Sequence, residues 1–204
     1  MANKKVTVIG TGNFGSTVAF ILAMNGTCHE VVLHGRNIDV AKGKALDMSQ
    51  AANAARQHTV VRAAMSAEDI AGSEVVVVTA GAPRTPGMDR DDLLLKNAEI
   101  VKKYAHEIKQ YAPDAIVIVV SNPLDVMTYV MLKETNFPKE RILGMAGILD
   151  SARMAHFIYE KLQYGAGQIR ATVMGGHGDT MVPLPKFTTV AGVPIDRKST
   201  RLNS

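Results

Sequence analysis

The chain has 204 residues, of which 47% are hydrophobic, 21% charged and 5% aromatic, and its net charge is +4. This length allows one well-buried domain and part of a second. Half of the net charge comes from the last nine residues, so the rest of the chain is close to neutral. A near-neutral chain with few aromatics argues against a nucleic-acid-binding face, which needs clustered cations with interleaved aromatic rings.

The cysteine content and the hydropathy of the chain indicate its cellular compartment. Cys28 is the single cysteine, so no internal disulfide can form and a reducing compartment is favoured. A strand pattern begins by Val6, which leaves no room for a signal peptide, and no apolar run reaches the length of a membrane span. We therefore expect a cytoplasmic protein with no membrane partner.

Short apolar runs alternate with longer segments of helical periodicity, a pattern typical of a parallel sheet with crossover helices. The first strand is predicted at Lys5–Ile9 and its helix at Asn13–Asn25, which Gly26 ends. The next predicted elements are a strand at Glu30–Leu33, a helix at Asp39–Asn53, a weaker strand at Thr59–Ala63 and a β-branched strand at Val75–Val78.

The same alternation continues after a loop at Gly81–Arg90. It predicts a helix at Asp91–Tyr111, a strand at Ala115–Val120, a helix to Glu134 with Asn122 as N-cap and Pro123 in its first turn, and a short strand at Arg141–Leu143. Six parallel strands with a glycine loop after the first predict an α/β fold, a doubly wound parallel Rossmann sheet over residues 1–147.

Residues 148–195 have a different pattern, with a helix predicted at Ser151–Leu162, a strand at Ile169–Met174 and a β-like end at Thr188–Ile195. We interpret this segment as the start of an α+β substrate domain. Residues 196–204 break the apolar pattern, and they can be encoded by GATCGGAAGAGCACACGTCTGAACTCC, which resembles a widely used sequencing-library adapter. We expect a non-native tail there and a native reading frame that continues beyond Ile195.

A glycine-rich loop follows the first strand and opens a helix, as in dinucleotide-binding folds. Gly10 permits the tight turn, Gly12 lets a pyrophosphate approach the backbone, and Gly15 allows close packing of helix on strand. The residues expected to bind the cofactor here are Gly10, Thr11, Gly12, Asn13, Phe14 and Gly15.

The end of the second strand bears on coenzyme choice, because NAD enzymes normally carry Asp or Glu there to bind the ribose hydroxyls. Here Gly35 takes that place and Arg36 follows it. Arg36 can pair with a 2′-phosphate, so the cofactor is NAD or NADP with a leaning to NADP. The alternative is a solvated arginine on an ordinary turn, and we interpret the preceding His34 as a partly buried packing residue.

Three residues toward the C-terminus suit acid/base chemistry on a small acid. His177 lies in a glycine-flanked turn, and Asp150 can accept a hydrogen bond from its ring and stabilise the imidazolium. Arg153 lies three residues after Asp150 on a predicted helix and can hold a carboxylate with two hydrogen bonds. A structural histidine and a plain helical salt bridge are the alternatives.

The loop after the fourth strand leaves the carboxyl end of the sheet, where ligands bind in such folds. Its glycines and prolines are consistent with a hinged lid, and Arg84 and Arg90 can close over a substrate with it. Two solvated arginines are the alternative. Asn122, after the fifth strand, can bind substrate or nicotinamide, or serve as a helix cap.

These motifs together resemble the malate/lactate dehydrogenase family over about Lys5 to Ile195. The most specific matches are Ala80-Gly81-Ala82-Pro83-Arg84 with Arg90, Ser121-Asn122-Pro123-Leu124-Asp125, Leu149-Asp150-Ser151-Ala152-Arg153 and Gly176-His177-Gly178-Asp179. The resemblance implies that His177 is the acid/base, that Asp150 orients it, that Arg153 binds the substrate carboxylate and that Arg90 polarises the carbonyl. It also implies cofactor contacts at Gly81, Asn97, Val120 and Asn122.

The resemblance further implies a substrate and a mechanism. Arg84 falls where malate enzymes carry arginine and lactate enzymes glutamine, so the expected partner is a small dicarboxylate, malate or oxaloacetate. Malate would bind between Arg153 and Arg84 and lose its hydroxyl proton to His177 as hydride passes to nicotinamide. No metal is expected. The full-length form is expected to be a homo-oligomer, and the given chain, which stops short of the family's remaining substrate domain, to be inactive.

Three other functions stay open. The first is another 2-hydroxy-acid dehydrogenase of the lactate type, against which Arg84 argues. The second is an NAD-dependent glycosidase, which would be expected to offer a cluster of metal ligands. The third is a non-catalytic nucleotide-binding fragment, which would leave Asp150, Arg153 and His177 unexplained.

Overall fold

The computed structural model of the chain describes residues 4–83, 87 and 89–198, and of Arg90, Ala166, Arg197 and Lys198 the backbone alone. The chain divides into two compact units. We call Met1–Gly144 unit 1 and Met145–Ser204 unit 2.

Unit 1 is a six-stranded parallel sheet with helices between its strands. Its elements are β1 Lys5–Ile9, α1 Asn13–Met24, β2 Glu30–His34, α2 Ile38–Ala54, β3 Val60–Ala63, β4 Val75–Val78, α3 Arg90–Tyr111, β5 Ile116–Val119, α4 Leu124–Thr135 and β6 Ile142–Gly144. The strand order is β3-β2-β1-β4-β5-β6: β2 and β3 are added on one side of β1, and β4, β5 and β6 on the other. This order confirms the predicted doubly wound arrangement.

The central strands are buried on both faces, which explains their mostly apolar sequence. Val8 and Ile9 of β1 and Val76 and Val78 of β4 are fully buried. β1 and β4 pair in register from Val6 opposite Val75 to Ile9 opposite Val78. The chain therefore leaves both strands at the same edge of the sheet, which brings the glycine loop and the loop after β4 together.

One predicted cap is wrong. Asn122 was expected to cap α4, but the N-cap is Pro123, and no side chain caps this helix. The backbone of Pro123 is extended, with φ −66° and ψ 123°, so the helix begins one residue later, at Leu124. Asn122 is left exposed in the connection after β5, within reach of solvent and ligands.

Over its described residues 145–198, unit 2 combines two α-helices with two small antiparallel sheets, which agrees with the predicted α+β character. Its elements are α5 Gly147–Leu162, β7 Ile169–Arg170, β8 Val173–Gly175, β9 Met181–Pro183, β10 Thr189–Val190, β11 Val193–Pro194 and α6 Ile195–Lys198. The sheets have the orders β11-β10-β7 and β8-β9. Ile158, Ile169 and Val190 form the buried core of this unit.

The single strand predicted at Ile169–Met174 is wrong, because the chain changes sheets within it. β7 pairs with β10, whereas β8 pairs with β9. Between them the backbone N–H of Thr172 donates to the side chain of Thr188 at 3.2 Å. The sequence pattern cannot reveal such a change, because the change depends on which distant strand each segment pairs with. The predicted tail begins inside α6, and its non-native origin stays a prediction.

Candidate functional site

The glycine loop after β1 has the geometry that its sequence predicts. Gly10 has φ +109°, and a Cβ there would lie 2.5 Å from Thr79 Oγ1 and 2.8 Å from the Ala80 nitrogen. A Cβ on Gly15 would overlap the carbonyl oxygen of Gly10. A Cβ on Gly12, in contrast, would meet nothing within 4 Å. Two glycines thus allow close packing, and the third borders open space.

The open space lies at the N-terminus of α1. Gly12 is the N-cap and provides no side-chain cap, so the first N–H groups of the helix, from Asn13 to Gly15, have no acceptor within it. Such N–H groups and the helix dipole attract anions. A dinucleotide pyrophosphate fits this donor set, and the exposed ring of Phe14 lies beside it in the sequence.

The end of β2 carries the residues expected to set coenzyme choice. His34 is partly buried, lies 2.8 Å from Glu107 and packs edge-on against Tyr104, as expected for a packing residue. Gly35 is partly buried and Arg36 is exposed. Within the described ranges no salt bridge of Arg36 is found. Burial and the nearby Glu107 raise the pKa of Tyr104, and the positive charge of Arg36 opposes that rise.

Lys44, on α2, is a residue that the sequence analysis missed. Its ammonium donates to the Thr11 carbonyl oxygen at 2.7 Å and to Ser16 Oγ at 2.8 Å, so it ties α2 to the glycine loop. A signal was available, because Lys44 lies on the helix stripe of Ala41, Ala45 and Met48, which are buried. A lysine on an otherwise apolar stripe indicates a specific partner for its ammonium.

Asn97 braces two loops at the carboxyl edge of the sheet. It is 3% exposed, accepts from the Ala82 N–H at 2.7 Å and donates to the Asn122 carbonyl at 2.8 Å. Ser121, a motif residue to which the sequence analysis gave no role of its own, donates to the Ala80 carbonyl at 2.6 Å. The loops after β4 and β5 are therefore joined beside the three other predicted cofactor contacts, Gly81, Val120 and Asn122.

The arginines of the predicted lid are the least described part of the site. Arg84 lies outside the described residues. Arg90 begins α3, but its side chain is likewise outside them. The start of α3 is fixed by a capping box, in which Asp89 accepts from the Asp92 N–H at 2.7 Å and Asp92 accepts from the Asp89 N–H at 3.4 Å. The roles assigned to both arginines stay predictions.

In unit 2, Asp150 contacts the two other residues predicted for acid/base chemistry, His177 and Arg153. Its Oδ2 lies 2.9 Å from His177 Nδ1, and its Oδ1 lies 3.2 Å from Arg153 NH1. The Asp150 side chain is 5% exposed, that of His177 21% and that of Arg153 58%. A buried carboxylate thus joins a partly buried imidazole to a guanidinium that reaches solvent.

Local sequence explains this arrangement. Asp150 and Arg153 are three residues apart on α5 and so share a face. His177 lies in the turn between β8 and β9, where Gly175 and Gly178 have φ +98° and +157°. Ser151, also a motif residue without an assigned role, accepts from the Val173 N–H at 2.9 Å and thereby ties α5 to β8, which precedes that turn.

The chemistry available follows from these contacts. A carboxylate at Nδ1 fixes the orientation of the ring and stabilises its protonated form, so the imidazole can exchange a proton through Nε2. An exposed guanidinium can bind a carboxylate with two hydrogen bonds. In the described part of the chain, no helix is long and apolar enough to span a membrane.

Two family models match the chain. Residues 4–144 match the NAD-binding domain of lactate/malate dehydrogenase, and residues 148–203 match the α/β C-terminal domain of the same family. Among curated proteins, the chain is 64% identical over 192 residues to the malate dehydrogenase of Sulfurimonas denitrificans, covering 94% of this chain and 60% of that protein. It is 63% identical over 194 residues to that of a Nitratiruptor species, covering 95% and 61%. The chain thus spans about 60% of the length of these relatives.

Solved structures are similar over nearly the whole chain. The malate dehydrogenase of Aeropyrum pernix has a TM-score of 0.89 and 42% identity, covering 97% of this chain and 64% of that one. A lactate dehydrogenase of Cryptosporidium parvum, solved with lactic acid and nicotinamide adenine dinucleotide, has a TM-score of 0.91 and 37% identity, covering 98% and 63%.

Proposed function

The chain belongs to the lactate/malate dehydrogenase family, and from that premise we propose that the whole protein interconverts malate and oxaloacetate by hydride transfer with a nicotinamide dinucleotide. The observation that carries this proposal is the Asp150 carboxylate, which contacts His177 with one oxygen and Arg153 with the other. An acid/base and a carboxylate-binding cation held by one buried group suit a 2-hydroxy acid.

Unit 1 supplies the coenzyme site in this proposal. The free N–H groups of α1 and the open space at Gly12 hold the pyrophosphate, and Lys44 keeps the loop in place. Gly81, Asn97, Val120 and Asn122 form or brace the edge where the rest of the dinucleotide lies. The bound coenzyme supplies a hydride acceptor for malate oxidation and a hydride donor for the reverse reaction.

Unit 2 supplies the proton transfer. His177 accepts the hydroxyl proton of malate, and Asp150 stabilises the imidazolium that results. Arg153 holds the substrate carboxylate next to the hydroxyl-bearing carbon. From the family resemblance, Arg90 stabilises the developing carbonyl oxygen and Arg84 binds the second carboxylate. In oxaloacetate reduction, His177 returns the proton.

The reaction is tested by following nicotinamide absorbance with malate, lactate, oxaloacetate and pyruvate as substrates of the whole protein. We expect turnover of malate and oxaloacetate, and a preference for lactate and pyruvate would contradict the proposal. Arg84→Gln should lower kcat/KM for oxaloacetate about a hundredfold, which corresponds to a loss of about 3 kcal/mol in transition-state stabilisation. It should also raise the relative use of pyruvate, because the second carboxylate of oxaloacetate loses its cation. Arg170→Gln, at an exposed position of β7, is the matched control.

For the coenzyme, we propose that the protein uses NADPH at least comparably to NADH. The support is the absence of an acid at Gly35 and the exposed guanidinium of Arg36 beside it. The ratio of kcat/KM for the two coenzymes tests this. A preference for NADH beyond about a hundredfold, close to 3 kcal/mol, would contradict it.

We also propose a cytoplasmic homo-oligomer. Exposed apolar side chains on α2 of unit 1 support self-association, among them Val40 at 42% and Leu46 at 59% exposure. Light scattering of the whole protein at several concentrations measures the assembly, and a monomer at all of them would contradict this part of the proposal.

A further inference from the structure

The side chain of Thr11 occupies the space above Gly35. A Cβ built on Gly35 would lie 2.7 Å from Thr11 Oγ1, 2.9 Å from its Cγ2 and 3.4 Å from its Cβ. Gly35 is not among the glycines with positive φ, so its backbone conformation is open to any residue. Contact with Thr11, rather than backbone strain, therefore keeps a side chain out of position 35.

Rotation of Thr11 about χ1 does not clear this space. Oγ1 and Cγ2 occupy two of the three staggered positions on Cβ, and both positions are too close to a Cβ at residue 35. Because two heavy atoms share three positions, every staggered rotamer leaves at least one of them in a crowded place. An acid at position 35 thus requires the backbone at Thr11 or at residue 35 to move.

The backbone at Thr11 is held from two sides. The preceding Gly10 N–H donates to the His34 carbonyl at 2.7 Å, next to Gly35 itself. Lys44 donates to the Thr11 carbonyl at 2.7 Å and to Ser16 Oγ at 2.8 Å. A shift of the loop away from position 35 would lengthen hydrogen bonds to a charged donor, which are among the stronger ones in proteins.

We propose that Thr11 and Gly35 form a coupled pair that sets coenzyme choice, with Lys44 as the residue that positions Thr11. Thr11 keeps position 35 without a side chain, which leaves the adenosine 2′ position open to a phosphate and unavailable to a ribose-binding carboxylate. This inference rests on the proposed binding of a nicotinamide dinucleotide and adds Thr11 to Gly35 as a determinant of its 2′ substituent.

The test is a double-mutant cycle of Thr11→Ala and Gly35→Asp in the 204-residue chain. Gly35→Asp alone should lower the unfolding temperature by about 5 °C, because the loop is displaced. Adding Thr11→Ala should restore most of this loss and lower the Kd for NADH about tenfold relative to the single variant, because neighbouring sites couple. Nicotinamide fluorescence titrations with NADH and NADPH supply the Kd values.

Two further variants keep the result interpretable. Gly35→Ala adds the Cβ alone, so if Gly35→Asp does not fold, the same recovery must appear between Gly35→Ala and Thr11→Ala/Gly35→Ala. Thr17→Ala is the control, because Thr17 lies on α1, is exposed and donates to the Asn13 carbonyl. It should restore nothing.

The outcomes distinguish failure of the coupled pair from failure of the proposed coenzyme binding. Additive effects of the substitutions at Thr11 and Gly35, in unfolding temperature or in NADH affinity, would overturn the coupled pair. If neither coenzyme binds the unsubstituted chain at millimolar concentration, the proposed coenzyme function is wrong, and the coenzyme role of the pair falls with it. Recovery in both readouts, absent with Thr17→Ala, would support the pair.

Discussion

At the scale of single residues, the carboxylate of Asp150 makes two different contacts, one with each oxygen. Its two oxygens contact different cations or potential cations, His177 at 2.9 Å and Arg153 at 3.2 Å, and its side chain is 5% exposed. A neutral side chain of the same shape can accept on one atom only, and its other atom becomes a donor. The charge of Asp150, as well as its position, is therefore needed.

We predict that Asp150→Asn in the whole protein lowers kcat for oxaloacetate reduction about a thousandfold, because the amide neither stabilises imidazolium nor fixes the required tautomer. Steady-state kinetics with NADH and NADPH measures this. The matched control is Glu160→Gln, which removes a carboxylate from the same helix that lies 3.4 Å from His156 and is 58% exposed. If the two substitutions affect kcat equally, His177 is not oriented by Asp150 for catalysis.

At the scale of elements, α2 holds the glycine loop through Lys44. We predict that Lys44→Met weakens binding of both coenzymes about tenfold, because the loss of a charged donor frees the Thr11 carbonyl and Ser16 Oγ to move. The methionine keeps an unbranched apolar stem on the helix stripe of Ala41 and Met48.

Calorimetric titration of the 204-residue chain gives the two affinities. Lys42→Met, at an exposed position of the same helix, is the control and should leave them unchanged. Equal effects of both lysine substitutions would indicate a general loss of positive charge and not a specific tie to the loop.

A second element-scale prediction concerns Asp69, in the turn after β3. Hydrogen bonds from the Met65 N–H, from Arg62 and from the Ser66 N–H hold the pKa of its carboxyl below the usual value. A lowered folded-state pKa stabilises the fold above the ordinary carboxyl pKa, and this stabilisation is lost as pH falls through the folded-state pKa.

Asp69→Asn should therefore lower the free energy of unfolding by about 1 kcal/mol at pH 7. The difference from the unsubstituted chain should shrink as pH falls below the ordinary carboxyl pKa and through the lowered folded-state pKa of Asp69, where the native carboxyl takes up its proton. Urea unfolding across this range measures it. Glu68→Gln, an exposed neighbour, is the control and should change little. A difference that is constant with pH would contradict the assigned cause.

Much of the sheet and of the site could be predicted at this scale. The strand Val75–Val78 is found within its predicted bounds because a β-branched apolar run suits few other environments. Asp150, Arg153 and His177 could be found because each lies in a specific motif. The split of Ile169–Met174 and the partner of Lys44 could not, because both depend on residues distant in sequence, Thr188 and Thr11.

At the scale of the whole molecule, the two units differ in how much apolar surface each buries. The core of unit 2 consists of Ile158, Ile169 and Val190, whereas α1, α2 and their strands alone contribute a larger cluster to unit 1. In unit 2, Phe157 is 66% and Phe187 68% exposed. Burial of apolar surface is the main source of stability, so unit 2 should open more readily.

We predict that limited chymotrypsin digestion of the 204-residue chain cuts unit 2 first, beyond about Gly165, and leaves a product that contains unit 1 and still binds coenzyme. Mass spectrometry of early time points identifies the cuts. The same opening would hold His177 and Arg153 loosely, and the prediction of negligible malate turnover by this chain stands on it. First cuts within 5–144, or turnover close to that of the whole protein, would contradict these predictions.

The contact between Thr11 and Gly35 also constrains how such a chain can change in evolution. An acid arriving first at position 35 meets a threonine that cannot rotate away, so that lineage passes through a less stable intermediate. An alanine arriving first at position 11 removes the obstacle at little cost, and the acid can then follow. The order of two substitutions, and not only their identity, decides which path between coenzymes is open to selection.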